Sequence, residues 1–420
     1  MLKEVRYKNW KSFADSTLYI DPLTILIGTN ASGKSNALDG LAFLNRVVQG
    51  KDLQTILSGD PALLLEANIQ AIRGGVEWAS RRPFTSFTLE AVIEYNEEID
   101  YHYSIEVSTK SESDVEIVSE SLIKINRKTN KPNKTKIFTA TAEEDSPTIA
   151  ASVYNGGRPK KKLFKRSVSV ISQLKNQETR EEVDEAVQFV THTLEHIFIL
   201  DPAPALMRDY KPFSSRLASN ASNVAGVLAA LPEEEKSHIE SLLSKYVSRL
   251  PEGDLQRVWA EPVGRFQKDA MLYCEEQWPG SSEKLIVDAR GMSDGTLRFI
   301  GILTALLTRP KGSLIVIEEI DNGLHPSRAG ILLEMLNEIG TERQIDILMT
   351  THNPALLDEL GVEMIPFIIV AHRSTDHGAS KLTLLENIQA LPKLLAGGSI
   401  GKLVAGGEIE ETLTQQGSGK

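Results

Sequence analysis

LTILIGTNASGKSNALDGLAFLNRVV, residues 23–48, decides the fold class. It opens on a short apolar, β-branched run, passes through a glycine-rich middle and ends with apolar residues at helical spacing, so it reads as strand, loop and helix. Within it GTNASGKS, Gly28–Ser35, has the spacing of a phosphate loop (Walker A). Glycines there let main-chain N–H groups close around phosphate oxygens at the positive end of a helix. The candidate nucleotide-binding residues are therefore Gly28, Asn30, Ala31, Ser32, Gly33, Lys34, Ser35 and Asn36. Lys34 supplies a point charge between the β- and γ-phosphates, and the Ser35 hydroxyl a ligand for magnesium. A plain tight turn can carry the same letters, but here they follow a strand and open a helix.

Two further apolar runs, GSLIVIEEI (312–320) and QIDILMTTH (344–352), read as strands buried at the centre of a parallel sheet. The helical pattern IGILTALLT (300–308) precedes the first. Glu318 and Glu319 thus fall at the C-terminal end of a strand, where ligands bind in open α/β sheets. Glu318 is expected to hold magnesium through its hydration shell and Glu319 to orient and polarise the attacking water, the alternative being an acidic strand end facing solvent. His352 ends the next strand as a candidate γ-phosphate sensor, and Asn353–Pro354 reads as a helix cap and first turn. A second glycine-bearing helix start lies in RGMSDGTLRF (290–299), where Ser293 and Gly295 expose a hydroxyl and N–H groups.

Between these halves the pattern changes. SFTLEAVIEY (86–95), IDYHYSIEV (99–107), VEIVSESLIKI (115–125) and KTKIFTAT (134–141) alternate and are separated by polar turns, as in an antiparallel sheet. Residues 180–280 read as mostly helical, clearest in PEEEKSHIESLLSKYVSRL (232–250), where Ile239, Leu242, Leu243, Tyr246, Val247 and Leu250 form one apolar stripe. The expected division is 1–60 and 285–400 for the two parts of the core, 61–180 for a helix plus the antiparallel lobe, 181–284 for a helical subdomain and 401–420 for a tail. The closing GSGK reads as an added linker.

The chain has 420 residues, 41% hydrophobic and 25% charged, an ordinary globular composition. Its one cysteine, Cys274, excludes a disulfide framework and a cysteine-based zinc cluster. No apolar run reaches membrane-span length and the N-terminus is charged from Lys3, so a cytoplasmic protein is expected. The net charge of -11 argues against a chain held to nucleic acid by overall charge. Residues 124–166 are the exception, with Lys and Arg far outnumbering Glu143, Glu144 and Asp145. They suit phosphate contacts with nucleic acid or an acidic protein; equally, lysine-rich turns are solvated or protect sheet edges.

Taken in order, these motifs resemble the ATPase heads of the ABC class, in the branch that includes RecF, the SMC proteins and the OLD-family nucleases. They are most similar to AAA_21-type proteins of bacterial defence systems. VRYKNWKSFAD (5–15) looks like that branch's opening strand and turn, GMSDGTLRF (291–299) like its signature, IVIEEIDNGLHP (315–326) like its Walker B and D-loop, and TTHNP (350–354) like its switch histidine. HIFILDPAPALMRD (196–209) and SNVAGVLAAL (222–231) match more loosely.

The resemblance implies an α/β fold: an ABC-type P-loop ATPase head with a parallel core sheet, an inserted antiparallel β lobe and a helical subdomain. It implies ATP and Mg²⁺ as ligands, catalysis by Glu319 and His352, and a head-to-tail dimer in which Ser293 and Gly295 cap the γ-phosphate bound to the other copy. It also implies a magnesium-sensing glutamine, for which Gln173 is the candidate, and an α-phosphate contact, for which Lys11 is. Two departures stand out: Glu318 replaces the commoner aspartate, and Asp294 stands where transporter signatures have glycine.

OLD-family nucleases carry a TOPRIM domain after the same ATPase, whereas residues 353–420 contain no Asp-x-Asp pair. The expectation is an ATPase without a nuclease of its own, switching a separate nuclease or toxin in anti-phage defence, as in Septu-type and PARIS-type systems. A RecF-like repair ATPase acting on DNA is the alternative; it requires DNA-stimulated hydrolysis with a steep salt dependence. The long insert between Walker A and the signature disfavours a transporter, and the lack of sustained heptads disfavours SMC proteins proper.

Overall fold

The computed structural model describes residues 1–59, 71–111, 114–128, 132–143, 146–250, 254–277, 283–322, 328–374 and 378–417. Gly323–Pro326 of the D-loop-like stretch, Lys131, Glu144 and Asp145 of the charged region, and the last three residues lie outside them. The chain opens with β1 (Leu2–Trp10), β2 (Phe13–Tyr19), β3 (Leu23–Ile27), α1 (Lys34–Val47) and α2 (Leu53–Ser58). Six strands follow: β4 (Ser86–Asn96), β5 (Ile99–Ser111), β6 (Asp114–Asn126), β7 (Asn133–Ala142), β8 (Thr148–Val153) and β9 (Lys160–Lys165). Next come α3 (Val170–Leu174), α4 (Glu181–Glu195), β10 (Ile197–Leu200), α5 (Pro204–Met207), β11 (Lys211–Pro212), α6 (Val224–Ala230) and α7 (Glu233–Val247). The chain continues through β12 (Leu255–Val263), β13 (Asp269–Glu276), β14 (Leu285–Asp288), α8 (Asp294–Thr308), β15 (Leu314–Ile317) and α9 (Ala329–Arg343). It then forms β16 (Asp346–Thr350), α10 (Pro354–Asp358), β17 (Ile368–Arg373) and β18 (Ser380–Leu384), followed by short C-terminal helices. No helix among the described residues is long and apolar enough to cross a membrane.

Two compact units result: Met1–Ile197 with Phe367–Leu391 and Ile409–Lys420, and Phe198–Pro366 with Pro392–Glu408. In the first, strands run in the order β3-β17-β18-β2-β1-β4-β5-β6-β7-β8-β9. The β3–β17 pair is parallel, and the strands from β2 through β1 to β9 are antiparallel neighbours. Alternation along β4, buried at Phe87, Leu89, Ala91 and Ile93, gives the sheet one apolar face. Phe43 of α1 lies on that face, its ring centroid 5.7 Å from Trp10 and 5.3 Å from Phe87. All three rings are fully buried, so the helix that follows the phosphate loop is fixed to the sheet by its largest apolar side chains.

Glu120 of β6 breaks the apolar rule. Its carboxylate is buried and accepts from Val170 N at 2.6 Å, Ile171 N at 2.9 Å and the Tyr103 hydroxyl at 3.0 Å, docking the β lobe on the start of α3. Burial pushes its pKa up to about 7, against the pull of those three donors. A folded-state pKa above the ordinary carboxylate value means that folding takes up a proton, so this stability is full below about pH 4.5 and is lost as pH rises through 7. Urea unfolding at pH 5 and pH 8 should show a loss of roughly 2–3 kcal/mol from this group. Glu120→Gln should remove that loss; an unchanged pH slope in the variant would show that Glu120 is not its source.

In the second unit β15 and β16 pair in parallel, with β10 on the other side of β15. The segment expected to be mostly helical contains α5, α6 and α7 but also the antiparallel β12, β13 and β14. The strands were hidden because β12 buries Val258, Trp259 and Ala260 in succession and shifts register between Leu255 and Arg257, which erases its two-residue period. The stripe read on α7 is buried at Ile239, Leu243, Tyr246 and Val247.

Candidate functional site

The phosphate loop belongs to the first unit. β3 ends at Ile27 and the chain turns through Gly28 at φ 141° and Gly33 at φ 116°. A Cβ at Gly28 would run into the Ala371 carbonyl, and one at Gly33 into the Ser380 hydroxyl, so both positions require glycine for conformation and for space. Ala31, left-handed at φ 61°, forms the exposed crest. Arg373 of β17 donates from Nε to the Ala31 carbonyl at 3.0 Å and from Nη1 to Gly378 O at 2.8 Å, clamping the loop from the far end of the chain.

α1 then starts at Lys34 with Gly33 as its cap, no capping side chain and no acid in its first turn. Its first N–H groups keep their positive end uncancelled. The start is held from behind: Trp10 Nε1 donates to Asn36 O at 2.8 Å, Asn36 Nδ2 to Ser12 Oγ at 2.7 Å and the Tyr7 hydroxyl to Ala37 O at 3.0 Å. Lys34 Nζ donates to Gly28 O at 2.5 Å and Thr29 O at 3.1 Å. The Ser32 hydroxyl is buried inside the loop with no hydrogen-bond partner. A glycine cradle, an acid-free helix start and an orphaned hydroxyl fit an anionic phosphate chain.

Lys11 and Gln173 have partners of their own in the same unit. Lys11 Nζ, buried, pairs with Asp39 Oδ2 on α1 at 2.5 Å and donates to Arg73 O at 2.6 Å. Burial lowers its pKa and Asp39 opposes that shift. The Gln173 carboxamide oxygen, the atom a magnesium ion would need, accepts Lys165 N–H at 3.1 Å. The amide nitrogen, Nε2, donates to Lys165 O at 3.0 Å and Val168 O at 2.8 Å, so the side chain closes the edge of β9. Neither contact was visible in the sequence.

The acidic strand end belongs to the second unit. Ile317 and Met349 are register partners, so Glu318–Glu319 and Thr350–His352 leave the C-terminal ends of neighbouring parallel strands. Glu318 N–H donates to Leu200 O at 3.2 Å. Glu319 is left-handed at φ 48°, its N–H donates to Thr350 Oγ1 at 2.8 Å, and Ile320 N–H donates to Thr350 O at 3.1 Å. A non-glycine residue in that region stores about 1 kcal/mol or more of strain, which Thr350 holds in place. Thr351 is buried and its hydroxyl accepts from Asn353 N at 3.0 Å, while Asn353 caps α10 through Ala355 N at 2.9 Å. The His352 side chain stands exposed between these two fixed residues.

In the same unit Ser293 caps α8, its Oγ accepting from Thr296 N at 3.1 Å, with Gly295 buried in the first turn. The residue that sequence reasoning missed here is Arg208, just after α5. Its guanidinium donates to the carbonyls of Ala289, Arg290 and Met292 and to the Asp294 carboxylate. Its place in PAPALMRD was the sole hint.

Residues 23–358 match the family model AAA_21, described as "AAA domain, putative AbiEii toxin, Type IV TA system". No curated protein matches the chain. Among solved structures, an SMC head bound to the C-winged helix domain of ScpA is 12% identical, with 91% of this chain and 97% of that one covered at a TM-score of 0.51. An SMC head with extended coiled coil from Pyrococcus furiosus, bound to the C-terminal domain of ScpA, is 13% identical over 94% and 99% at a TM-score of 0.47. The SMC head domain from Thermotoga maritima is 14% identical over 91% and 98% at 0.42. At such identities the first likeness speaks for the fold alone: an ABC-type P-loop ATPase head. The family match spans the phosphate loop, the signature and both acidic and histidine strand ends, and the chain belongs to the AAA_21 family of P-loop ATPases.

Proposed function

We propose that this ATPase is a switch that dimerises head-to-tail on ATP and controls a separate effector protein. The observation that carries the nucleotide reading is the start of α1: two glycines that admit no Cβ, no acid in the first turn and a buried, unpartnered Ser32 hydroxyl. In this reading Gly28 and Asn30–Asn36 bind the phosphates, Lys34 neutralises them, and Ser35 and Glu318 are the residues that would hold magnesium. Magnesium, when bound, supplies charge neutralisation on the phosphate oxygens. Glu319 accepts a proton from the attacking water and His352 contacts the γ-phosphate. Ser293 and Gly295 serve the ATP of the other copy.

We place that effector on another polypeptide, in anti-phage defence, on the strength of the motif resemblance; the family description, "putative AbiEii toxin, Type IV TA system", names the toxin side of a toxin–antitoxin pair. The competing DNA-bound reading draws on Lys134, Lys136, Lys160, Lys161 and Lys165, all exposed on β7 and β9. The deciding experiment is the solution mass of Glu319→Gln with and without ATP and magnesium, beside the same protein carrying Ser293→Arg. Mass should double with ATP and stay single in the Ser293→Arg form. A constant mass in every condition would remove the ATP-driven dimer.

A further inference from the structure

Asp294 poses a problem for the signature. It places a carboxylate, its side chain 70% exposed, in the first turn of α8, where the proposed reading needs to meet a partner's γ-phosphate. An acid there suits the helix's own dipole and repels an incoming anion. The structure supplies the counter-charge from elsewhere in the unit. Arg208 Nη2 lies 2.5 Å from Asp294 Oδ1, while its Nη1 reaches the carbonyl oxygens of Ala289 at 3.1 Å, Arg290 at 3.0 Å and Met292 at 2.7 Å.

Three carbonyl dipoles converging on one point repel one another unless a cation sits among them. The loop they belong to is also held by Asp288, which accepts from Arg290 N at 3.0 Å and pairs with its guanidinium. That pair lies within two residues of sequence and fixes only the loop's beginning. Arg208 is what joins the loop's end, at Met292, to the first turn of the helix, at Asp294. As an isolated surface ion pair the Arg208–Asp294 contact would be worth little. As a fork whose two terminal nitrogens serve three carbonyls and a carboxylate, it fixes the loop that carries Ser293 and sets the net charge around it.

We propose that Arg208 is the positioning residue of the signature: it fixes the 289–294 loop and cancels the Asp294 charge, so that Ser293 and Gly295 can accept the γ-phosphate bound to a second copy of the chain. The inference rests on the dimer reading above and deepens it. It assigns Arg208 no contact with this copy's own nucleotide, which separates it from Lys34 and Glu319.

The test uses the full chain with Glu319→Gln as parent and reads the ATP-dependent dimerisation constant by sedimentation, with ADP binding measured beside it. Arg208→Ala should weaken dimerisation about 10- to 100-fold, the range expected for charge-assisted hydrogen bonds, and leave ADP affinity unchanged. Adding Asp294→Asn to Arg208→Ala should restore part of that loss, because the uncovered charge is gone. Asp294→Asn alone, on an exposed side chain whose loss cannot unfold the unit, should dimerise about threefold more tightly than the parent at low salt. Dimerisation of Arg208→Ala at the parent's level, or an Asp294→Asn form no tighter than the parent, would overturn the proposal. If the parent itself stays monomeric with ATP, the dimer reading falls and this inference with it; a dimerising parent with an indifferent Arg208→Ala removes the inference alone.

Discussion

Lys34→Ala should fold as the wild type does and fail to retain ATP. The substitution falls on the first residue of α1, a position that favours alanine as much as lysine for helix formation. The bonds of Lys34 to Gly28 and Thr29 go to carbonyls of its own loop, which Arg373 and the two positive-φ glycines hold independently. What disappears is the one cation that the loop itself carries toward its phosphates. Two charge-assisted contacts at about 1.5–3 kcal/mol each correspond to a weakening of roughly 100-fold or more in Kd. Titration calorimetry with ATP, paired with a thermal melt, checks both halves. A folded variant that still binds ATP tightly would remove Lys34 from the site and with it the reading of the loop.

Much of this site was legible because its parts are local. Strand, glycines, lysine and helix follow one another within residues 23–48, and the main-chain geometry they need is fixed by glycine, which the sequence displays directly. The same holds for β15 and β16, whose unbroken apolar runs match strands buried on both faces. The four alternating stretches of the insert became β4 to β7 for the same reason, one apolar face being written in every second residue.

The rest was hidden because it is made by residues far apart. Arg373 clamps Ala31 from the other end of the chain, and Ser380 fills the space against Gly33, yet neither sits in a recognisable pattern. Arg208 is one arginine among many until its guanidinium is seen among the carbonyls of Ala289, Arg290 and Met292. β8 and β9 escaped for a different reason: AAS and KKK are poor strand signals, and β9 is a lysine-bearing edge whose last residue is closed by the Gln173 side chain. That contact also gives Gln173 an occupation that its place after the β lobe did not announce. β12 was lost because its burial does not alternate: Val258, Trp259 and Ala260 are buried in a row, just beyond a register shift between Leu255 and Arg257.

Glu319→Gln should bind ATP as the wild type does and hydrolyse it at least ~100-fold more slowly, a loss of about 2.7 kcal/mol in transition-state stabilisation. The two side chains are nearly isosteric, and the features that place residue 319 are main-chain ones. Its N–H donates to Thr350 Oγ1, its carbonyl accepts from Asn322 N at 2.9 Å, and its φ of 48° is imposed by those bonds. The amide therefore stands where the carboxylate stood and differs only in being unable to take a proton from water. A left-handed non-glycine residue at an exposed position is the backbone outlier from which the functional proposal for Glu319 starts. Single-turnover hydrolysis at saturating ATP isolates the chemical step from binding and product release. A slow step with unchanged ATP affinity would place Glu319 in the transition state; turnover at the wild-type rate would reject it and move the search to His352, the exposed side chain on the neighbouring strand end.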